Sequence, residues 1–303
     1  MPVNVRDLYE ATLDAQQLRP LYCEPWWLDA ICGPENWHVY FFKDEHGSDI
    51  ACIPYYKTKV SKLNAIITPP MTQWCGILHI KKSAFIDIRD LLHSLSPNPI
   101  VDLSIKSESE INFSNGNPSG ILKYSFVIGT TSGIDQVRAK YSEGLRRNIK
   151  EAEKDYTLEE SDDIKKLISL AHSSYEQRNE KAPAWFNELP LKVHDTLQKH
   201  NRGRIILAFK DHKPVAGIMT GWDSSTEYYL LGGRDTMNGP SVHAFLLDKA
   251  ILHAISSGRK FDFEGSMHPG IANFFQSFGA NPEPYIQLRK YTGPGKLWAF
   301  LHK

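Results

Sequence analysis

Three stretches near the end of the chain decide the fold: YYLLGGRD at residues 228–235, NGPS at 238–241 and FDFEGS at 261–266. The first and the last are rich in aromatic and apolar residues, which is typical of β-strands. Between them, apolar residues recur at helical spacing from Val242 to Ala250, and Gly258 follows where such a helix would end. The order strand, glycine-bearing loop, helix, strand predicts a mixed α+β unit in this part of the chain.

The last of these stretches contains two carboxylates at strand spacing. At a period of two, Asp262 and Glu264 point to one face of a strand over 260–264, and Phe261 and Phe263 point to the other. Buried carboxylates need hydrogen-bond partners, or their pKa rises. We therefore consider Asp262 and Glu264 candidates for a general base or for a group that holds a substrate amine. The alternative is a structural hydrogen-bonded pair that anchors neighbouring loops.

The loop before the helix is a candidate anion site. Gly239 and Ser241 flank Pro240 at the predicted helix start, and free amides at a helix N-terminus attract anions. An ordinary helix start with proline in the first turn explains the same residues. Arg234, which follows two glycines, is a candidate for a direct anion contact, and a surface ion pair with Asp235 is its alternative.

The length of 303 residues favours two domains. A run of small residues over 126–133 suggests the boundary, which gives units at 1–130 and 131–303. YFFKD at 40–44 and LAFKD at 207–211 each lie between apolar, strand-like runs, so both predict a hairpin and hint at two copies of one unit.

A regular apolar stripe follows the boundary. It predicts one amphipathic helix over 134–152, with Ser132 as its cap. This segment also carries the adjacent pair Arg146 and Arg147, which suggests a surface for tRNA or a phosphorylated precursor. The alternative is the solvated face of a helix whose charges pair one turn apart.

The overall composition limits the classes of protein to which the chain can belong. Lys plus Arg equals Asp plus Glu at 35 each, so overall charge gives no support to a nucleic-acid partner. The spacing of the four cysteines fits neither a zinc site nor a redox pair, and no metal is expected. The sequence shows no apolar run long enough to span a membrane and no signal peptide, so we expect a cytoplasmic protein.

Two further residues lie in suggestive loops. Trp74 stands in PPMTQWCG at 69–76, where it would line a cleft and bind substrate or, alternatively, belong to the core. His268 follows the carboxylate strand and is either an acid–base or substrate-binding group or an exposed loop histidine.

The order of elements and four motifs resemble the FemAB-like acyltransferases of the GNAT superfamily of N-acetyltransferases. The motifs are RRNIKEAEK at 146–154, FDFEGS at 261–266, FFQSFG at 274–279 and PPMTQWCG at 69–76. The resemblance implies two GNAT-like units, each a mixed, largely antiparallel sheet flanked by helices in α/β/α layers. It also implies acyl transfer to an amine, with the active site in the second unit.

The resemblance suggests roles for individual residues. Glu264 would deprotonate or orient the amine, with Asp262 beside it, and Tyr229 would assist proton transfer or line the acyl pocket. Amides near Gly239 and Ser241 would face the donor, and Arg234 would face its phosphates.

Two departures weaken the family pattern. The loop TMNGPS at 236–241 matches only one glycine of the CoA-binding pattern, and the lysine of the Fem-type motif falls on Phe275. Gln276 beside it would supply a hydrogen bond in place of the missing charge.

We therefore predict an N-acyltransferase that moves an acyl group from a thioester, acyl-CoA or an acyl carrier, to a small-molecule or peptide amine. Two alternatives stay open. One is Fem-type, aminoacyl-tRNA-dependent transfer to a cell-wall peptide precursor, which is less favoured. The other is a non-catalytic ligand- or partner-binding module on a degenerate GNAT fold.

Overall fold

The computed structural model describes residues 4–81, 86–107, 111–112, 119–130, 133–177, 179–235, 237, 239–265 and 267–301. Contacts between α-carbons divide the chain into two compact units, Met1–Lys123 with Pro284–Lys303, and Tyr124–Glu283. This division differs from the one predicted at residue 131. The chain enters the second unit at Tyr124, which lies inside a strand and seven residues before the predicted boundary. The last twenty residues of the chain group with the N-terminal unit.

The elements of the first unit come from both ends of the chain. Its helices are α1 (Val5–Asp14), a 3₁₀ turn (Leu21–Cys23), α2 (Pro25–Cys32), α3 (Ile88–Leu95) and the C-terminal α10 (Pro294–Leu301). Its strands are β1 (Trp37–Lys43), β2 (Asp49–Val60), β3 (Leu63–Ile67), β4 (Cys75–Gly76), β5 (Leu78–His79), β6 (Ile86–Asp87), β7 (Ile100–Lys106), β8 (Ile111–Asn112) and most of β15 (Asn281–Tyr291).

The sheet of the first unit is mixed. Along the order β1-β2-β3-β7-β15 the pairing is antiparallel except between β3 and β7, and the short β4 also pairs with β7 in parallel. Val101, Leu103 and Ile105 lie two residues apart on β7 and enter a core that also holds the buried face of α3. A shared apolar face of this kind is what holds a helix on a sheet.

The second unit carries the remaining elements. Its helices are α4 (Ile134–Ala139), α5 (Glu143–Asp155), α6 (Ile164–Gln177), α7 (Leu189–Lys199), α8 (Ser241–Ser256) and α9 (Pro269–Gln276). Its strands are the end of β9 (Ser119–Ile128), β10 (Thr157–Ser161), β11 (Gly203–Lys210), β12 (Lys213–Trp222), β13 (Thr226–Arg234) and β14 (Lys260–Asp262).

The second sheet runs in the order β9-β14-β13-β12-β11-β10, and among its recorded pairs only β13 and β14 are parallel. α5 and α8 share a core with Ile206 and Ile218 on one face. α6 packs on the opposite face, where Gly217 and Gly233 meet its side chains and backbone. The predicted fold class, mixed units with largely antiparallel sheets between helices, is confirmed.

The prediction of one helix over 134–152 is wrong in one respect. The apolar stripe is buried from Val137 to Ala152, whereas Ile134 is exposed, and the helix breaks into α4 and α5. Ser142 starts the second helix: its Oγ accepts from the N–H of Leu145 at 3.3 Å, and its own N–H donates to the carbonyl of Ser277 at 2.8 Å. The predicted cap, Ser132, lies outside the described residues, and Gly133 is the N-cap of α4.

Both predicted hairpins are present. β1 pairs with β2, and β11 pairs with β12, each antiparallel and each with a register shift close to its turn. The four cysteines are buried thiols. Within the described ranges, no helix combines the length and the apolar character that crossing a membrane requires.

Candidate active site

A cleft opens in the second unit where two neighbouring strands part. The parallel pairing of β13 with β14 ends at Tyr228 and Asp262. β13 then continues beside β12 to Arg234, whereas the chain after β14 follows β9. There, the N–H of Phe263 donates to the carbonyl of Phe126 at 2.9 Å. The space between the diverging segments has a volume of about 440 Å³.

The cleft is mainly apolar, with a small number of polar groups. The described residues that line it are Tyr229, Leu230, Leu231, Gly232, His243, Phe263, Glu264, Gly265, Ile271, Phe274 and Phe275. Among their side chains, Tyr229, His243 and Glu264 carry polar atoms. A few polar groups in an apolar concave site are typical of substrate pockets.

A β-bulge turns Tyr229 toward the first turn of α8. The register of β13 against β12 shifts between Met219 and Thr220, which leaves Leu230 as an extra residue. Because the bulge moves the alternation by one position, Tyr229 and Gly232 point to the same face although they are three residues apart.

Tyr229 and His243 form a hydrogen-bonded pair in the cleft. The phenol Oη lies 2.8 Å from His243 Nε2, and the ring centroids are 5.7 Å apart. A Cβ atom on Gly232 would lie 2.0 Å from that Oη, so the pair needs glycine beneath it. Burial and, to a smaller extent, the charge of Arg234 lower the pKa of His243 to about 4. The imidazole is therefore neutral at pH 7, and in its Nδ1–H tautomer Nε2 accepts the phenol proton.

Asp262 supports the loop that carries Glu264. Asp262 is 2 % exposed and accepts from Ser125 Oγ at 3.2 Å and from the N–H of Glu264 at 2.8 Å. Glu264 has a φ of +60°, a left-handed conformation that is costly for a residue with a side chain. The strand ends at Asp262 rather than at Glu264. The two carboxylates therefore do not share a strand face as predicted, and Asp262 instead holds the turn that brings Glu264 to the cleft.

The predicted anion-binding residues lie next to the cleft. Arg234 ends β13, and its N–H donates to Ser174 Oγ at 3.0 Å. Gly239 is exposed, and Ser241 is the first residue of α8, whose N-cap makes no side-chain bond. Asn238 and Ser266, which belong to the quoted motifs, lie outside the described residues.

Gln276 and His268 do not line the cleft. Gln276 is the last residue of α9 and is exposed. Its neighbour Phe275 stacks on Phe263 at 4.7 Å, so the position of the Fem-type lysine is filled by a core side chain. His268 is the exposed N-cap residue of α9.

The remaining predicted residues are also outside the described lining of the cleft. Arg146 and Arg147 are exposed on α5, and Arg146 Nη1 donates to the carbonyl of Tyr141 at 2.8 Å. Trp74 belongs to the first unit, where it is 6 % exposed and makes an edge contact with Tyr22 at 5.4 Å. Trp74 therefore lies in a core position, which was predicted as the alternative to a cleft position.

Sequence reasoning missed His243. His243 lies 14 residues after Tyr229, in a helix that its apolar residues alone were enough to predict. The signal that could have found it is its place in the first turn of α8, directly after a glycine-bearing loop, where side chains face the end of the preceding strand. No group of three His, Cys, Asp or Glu side chains suited to a metal ion occurs in the described part of the chain.

Most of the second unit matches a known family model. Residues 139–274 match the family model of the acetyltransferase (GNAT) domain, and these residues include the whole described lining of the cleft except Phe275. For these residues, the predicted resemblance to the GNAT superfamily is confirmed.

Solved structures extend the similarity over nearly the whole chain. FemX is 12 % identical, with a TM-score of 0.67 over 100 % of this chain and 99 % of that one. L-PGS from Bacillus licheniformis is 14 % identical, with a TM-score of 0.56 over 95 % and 92 %. The C-terminal domain of an Agrobacterium fabrum protein described as a lysylphosphatidylglycerol synthetase is 13 % identical, with a TM-score of 0.58 over 98 % and 96 %. At these identities the similarity concerns the fold. A comparison with curated proteins gave no match.

The low pKa of the His243 imidazole makes stability depend on pH. The pKa of His243 falls from 6.5 to about 4 on folding, so the unfolded chain binds more protons between these values. We expect this residue to reduce the free energy of unfolding as pH falls from 6.5 to 4, by up to about 3 kcal/mol.

Urea unfolding at several pH values, for the wild type and for His243→Asn, measures this contribution. The stability difference between the two should shrink toward pH 4. His46→Asn is the control, because His46 is largely exposed. Parallel stability curves for the wild type and His243→Asn would contradict the buried, neutral state of the imidazole.

Proposed function

We propose that the chain is an N-acyltransferase that moves an acyl group from a thioester, an acyl-CoA or an acyl carrier, to a primary amine. One observation carries the proposal: a largely apolar cleft with Tyr229 and Glu264 on its walls opens between two parted strands of the acetyltransferase domain. Beyond Tyr228, the recorded pairing no longer joins β13 to β14, so the edge of β13 can bind an extended substrate through its backbone.

The chemistry needs few groups. The amine nitrogen attacks the acyl carbon, a proton leaves the nitrogen, and the carbon–sulfur bond breaks. Glu264 would hold or deprotonate the acceptor amine, and Asp262 would keep its loop in place. The first amides of α8, near Gly239 and Ser241, and the guanidinium of Arg234 would bind the phosphates of the donor.

Replacing Glu264 with glutamine tests the role of the carboxylate. We expect kcat/KM to fall about 10²- to 10⁴-fold, because an amide neither accepts the proton nor balances an ammonium ion. Thiol release from acetyl-CoA in the presence of the best amine of a panel gives the rates. Glu159→Gln, at an exposed position on β10, is the matched control and should leave them unchanged. Equal turnover by Glu264→Gln and the wild type would remove this residue from the mechanism.

The donor class can be identified by ligand-induced stabilisation. A ligand at about 100 times its Kd adds about 2.7 kcal/mol, which corresponds to several degrees in Tm. CoA, acetyl-CoA, a longer acyl-CoA and a UDP-linked muropeptide are compared separately. A shift with the CoA set supports the thioester donor, and a shift with the muropeptide alone would favour the cell-wall alternative.

A second candidate is transfer of an aminoacyl group. It is favoured by the similarity of the fold to FemX and to a protein described as a lysylphosphatidylglycerol synthetase. Aminoacyl-tRNA would then be the donor, and the exposed Arg147 on α5 would be part of its surface. Product formed from charged tRNA, but not from any acyl-CoA, would select this candidate. A ligand that binds tightly and is never converted would select a binding module instead.

A further inference from the structure

The geometry points to Tyr229 and His243 as a proton relay, in which the proton of the attacking amine passes to Tyr229 Oη while the phenol proton passes to His243 Nε2. This inference rests on the proposed function and assigns a role to a histidine that the sequence did not single out. In this scheme Glu264 binds the amine, and Tyr229 with His243 removes the amine proton.

Two elements bring the members of the pair together. Tyr229 reaches the cleft because the bulge at Leu230 turns it to the face of α8, and Gly232 leaves the space in which its phenol lies. His243 is the third residue of α8, with Nε2 at 2.8 Å from Oη. In the Nδ1–H tautomer of the imidazole, Nε2 is a proton acceptor directly behind the phenol.

A phenol alone is a poor proton acceptor at neutral pH. It already carries its own proton, and its ordinary pKa is about 10, so it accepts a second proton only if it releases the first in the same step. The neutral imidazole makes that exchange available. Burial and Arg234 keep the pKa of His243 low, so the imidazolium gives its proton back readily.

The relay returns to its starting state after each turnover. The amine lone pair forms the carbon–nitrogen bond, the amine proton moves to Oη, and the phenol proton moves to Nε2. When the carbon–sulfur bond breaks, the imidazolium proton travels back through Oη to the thiolate. The products are the amide and the free thiol, and Tyr229 and His243 are again neutral.

Two charged groups bear on the titration of His243. Arg234 lies on the same strand as Tyr229 and opposes the positive charge of an imidazolium. Glu264 lines the same cleft. A pH profile of kcat therefore reports on His243 in the presence of these two groups.

His243→Gln separates a relay from simple positioning. Glutamine can keep a hydrogen bond to the phenol but cannot take up its proton. We expect kcat with acetyl-CoA and the best amine of the panel to fall about 10²- to 10³-fold, while KM for acetyl-CoA changes less than about 2-fold. Tyr229→Phe should show the same loss. We expect kcat of the wild type to decline toward pH 4 and this decline to be absent in both variants.

Controls distinguish the possible failures. His194→Gln replaces another buried histidine, on α7, and should keep wild-type rates. If His243→Gln retains the wild-type kcat and pH profile, the histidine only positions Tyr229 and the relay is refuted. If His243→Gln does not fold, Tyr229→Phe with a wild-type kcat refutes the relay equally. If the wild type itself releases no thiol with any amine, the proposed function fails, and the relay fails with it.

Discussion

Alanine at Gly233 is expected to destabilise the protein severely, whereas alanine at the adjacent Gly232 is expected to leave it folded and inactive. A Cβ atom on Gly233 would lie 2.2 Å from the backbone nitrogen of Ala171 in α6. Backbone atoms cannot rotate away, so α6 would have to lift from the sheet. Overpacking of this kind costs about 3 kcal/mol or more.

A Cβ atom on Gly232 would meet side-chain atoms rather than backbone atoms. A Cβ atom on Gly232 would collide with the far end of Tyr229 and, at 2.8 Å, with His243 Cε1. A side-chain terminus can move aside, so we expect the unfolding free energy to change by less than about 2 kcal/mol. The displaced phenol would no longer meet Nε2, and acyl transfer would fall as it does in Tyr229→Phe.

Thermal unfolding followed by circular dichroism, combined with thiol release, measures both variants. The expected pattern is a large loss of Tm for Gly233→Ala and a large loss of kcat for Gly232→Ala. Equal stability of the two variants would contradict the packing of α6 on β13. Full activity in Gly232→Ala would contradict the placement of Tyr229.

Loss of the ion pair between the partly exposed Arg138 and the buried Asp248 of α8 is the second large effect. Asp248 is 0 % exposed, and the guanidinium of Arg138 holds it with Nε at 3.1 Å and Nη2 at 2.5 Å. The bond to Asp248 raises the pKa of Arg138. Arg138→Met would leave a buried carboxylate without its cation, which costs about 3–5 kcal/mol.

The double variant Arg138→Met, Asp248→Leu separates the charge from the packing. Because both charges are then gone, we expect most of the lost stability to return. The exposed pair of Lys249 and Glu153 is the matched control, and Lys249→Met should change the unfolding free energy by less than about 1 kcal/mol. Urea unfolding gives these values. A change below about 1 kcal/mol in Arg138→Met would show that the pair carries little of the stability of α8.

Local patterns predicted the hairpins and the buried stripes. The Phe-Lys-Asp turns at 42–44 and 209–211 lie between apolar runs, and both end in antiparallel pairs. The apolar stripe from Val137 to Ala152 is buried as its spacing requires. Short-range spacing is enough for such features because it decides which side chains share a face.

The arrangement of the site depends on features that local spacing does not contain. The bulge at Leu230 reverses the alternation of β13, so period-two counting does not show that Tyr229 faces α8. The break between α4 and α5 uses the carbonyl of Ser277, more than 130 residues away. The turn at Glu264 depends on a bond from its own N–H to Asp262, which ends the strand earlier than the apolar alternation indicates.

The most direct measurement is mass spectrometry of the amine panel after incubation with acetyl-CoA, a longer acyl-CoA or charged tRNA. The account predicts an N-acylated product from at least one thioester donor. Its amount should fall about 100-fold or more in Glu264→Gln and remain unchanged in Glu159→Gln. A ligand that stabilises the protein but yields no acylated amine from any donor would contradict it and identify the cleft as a binding site without chemistry.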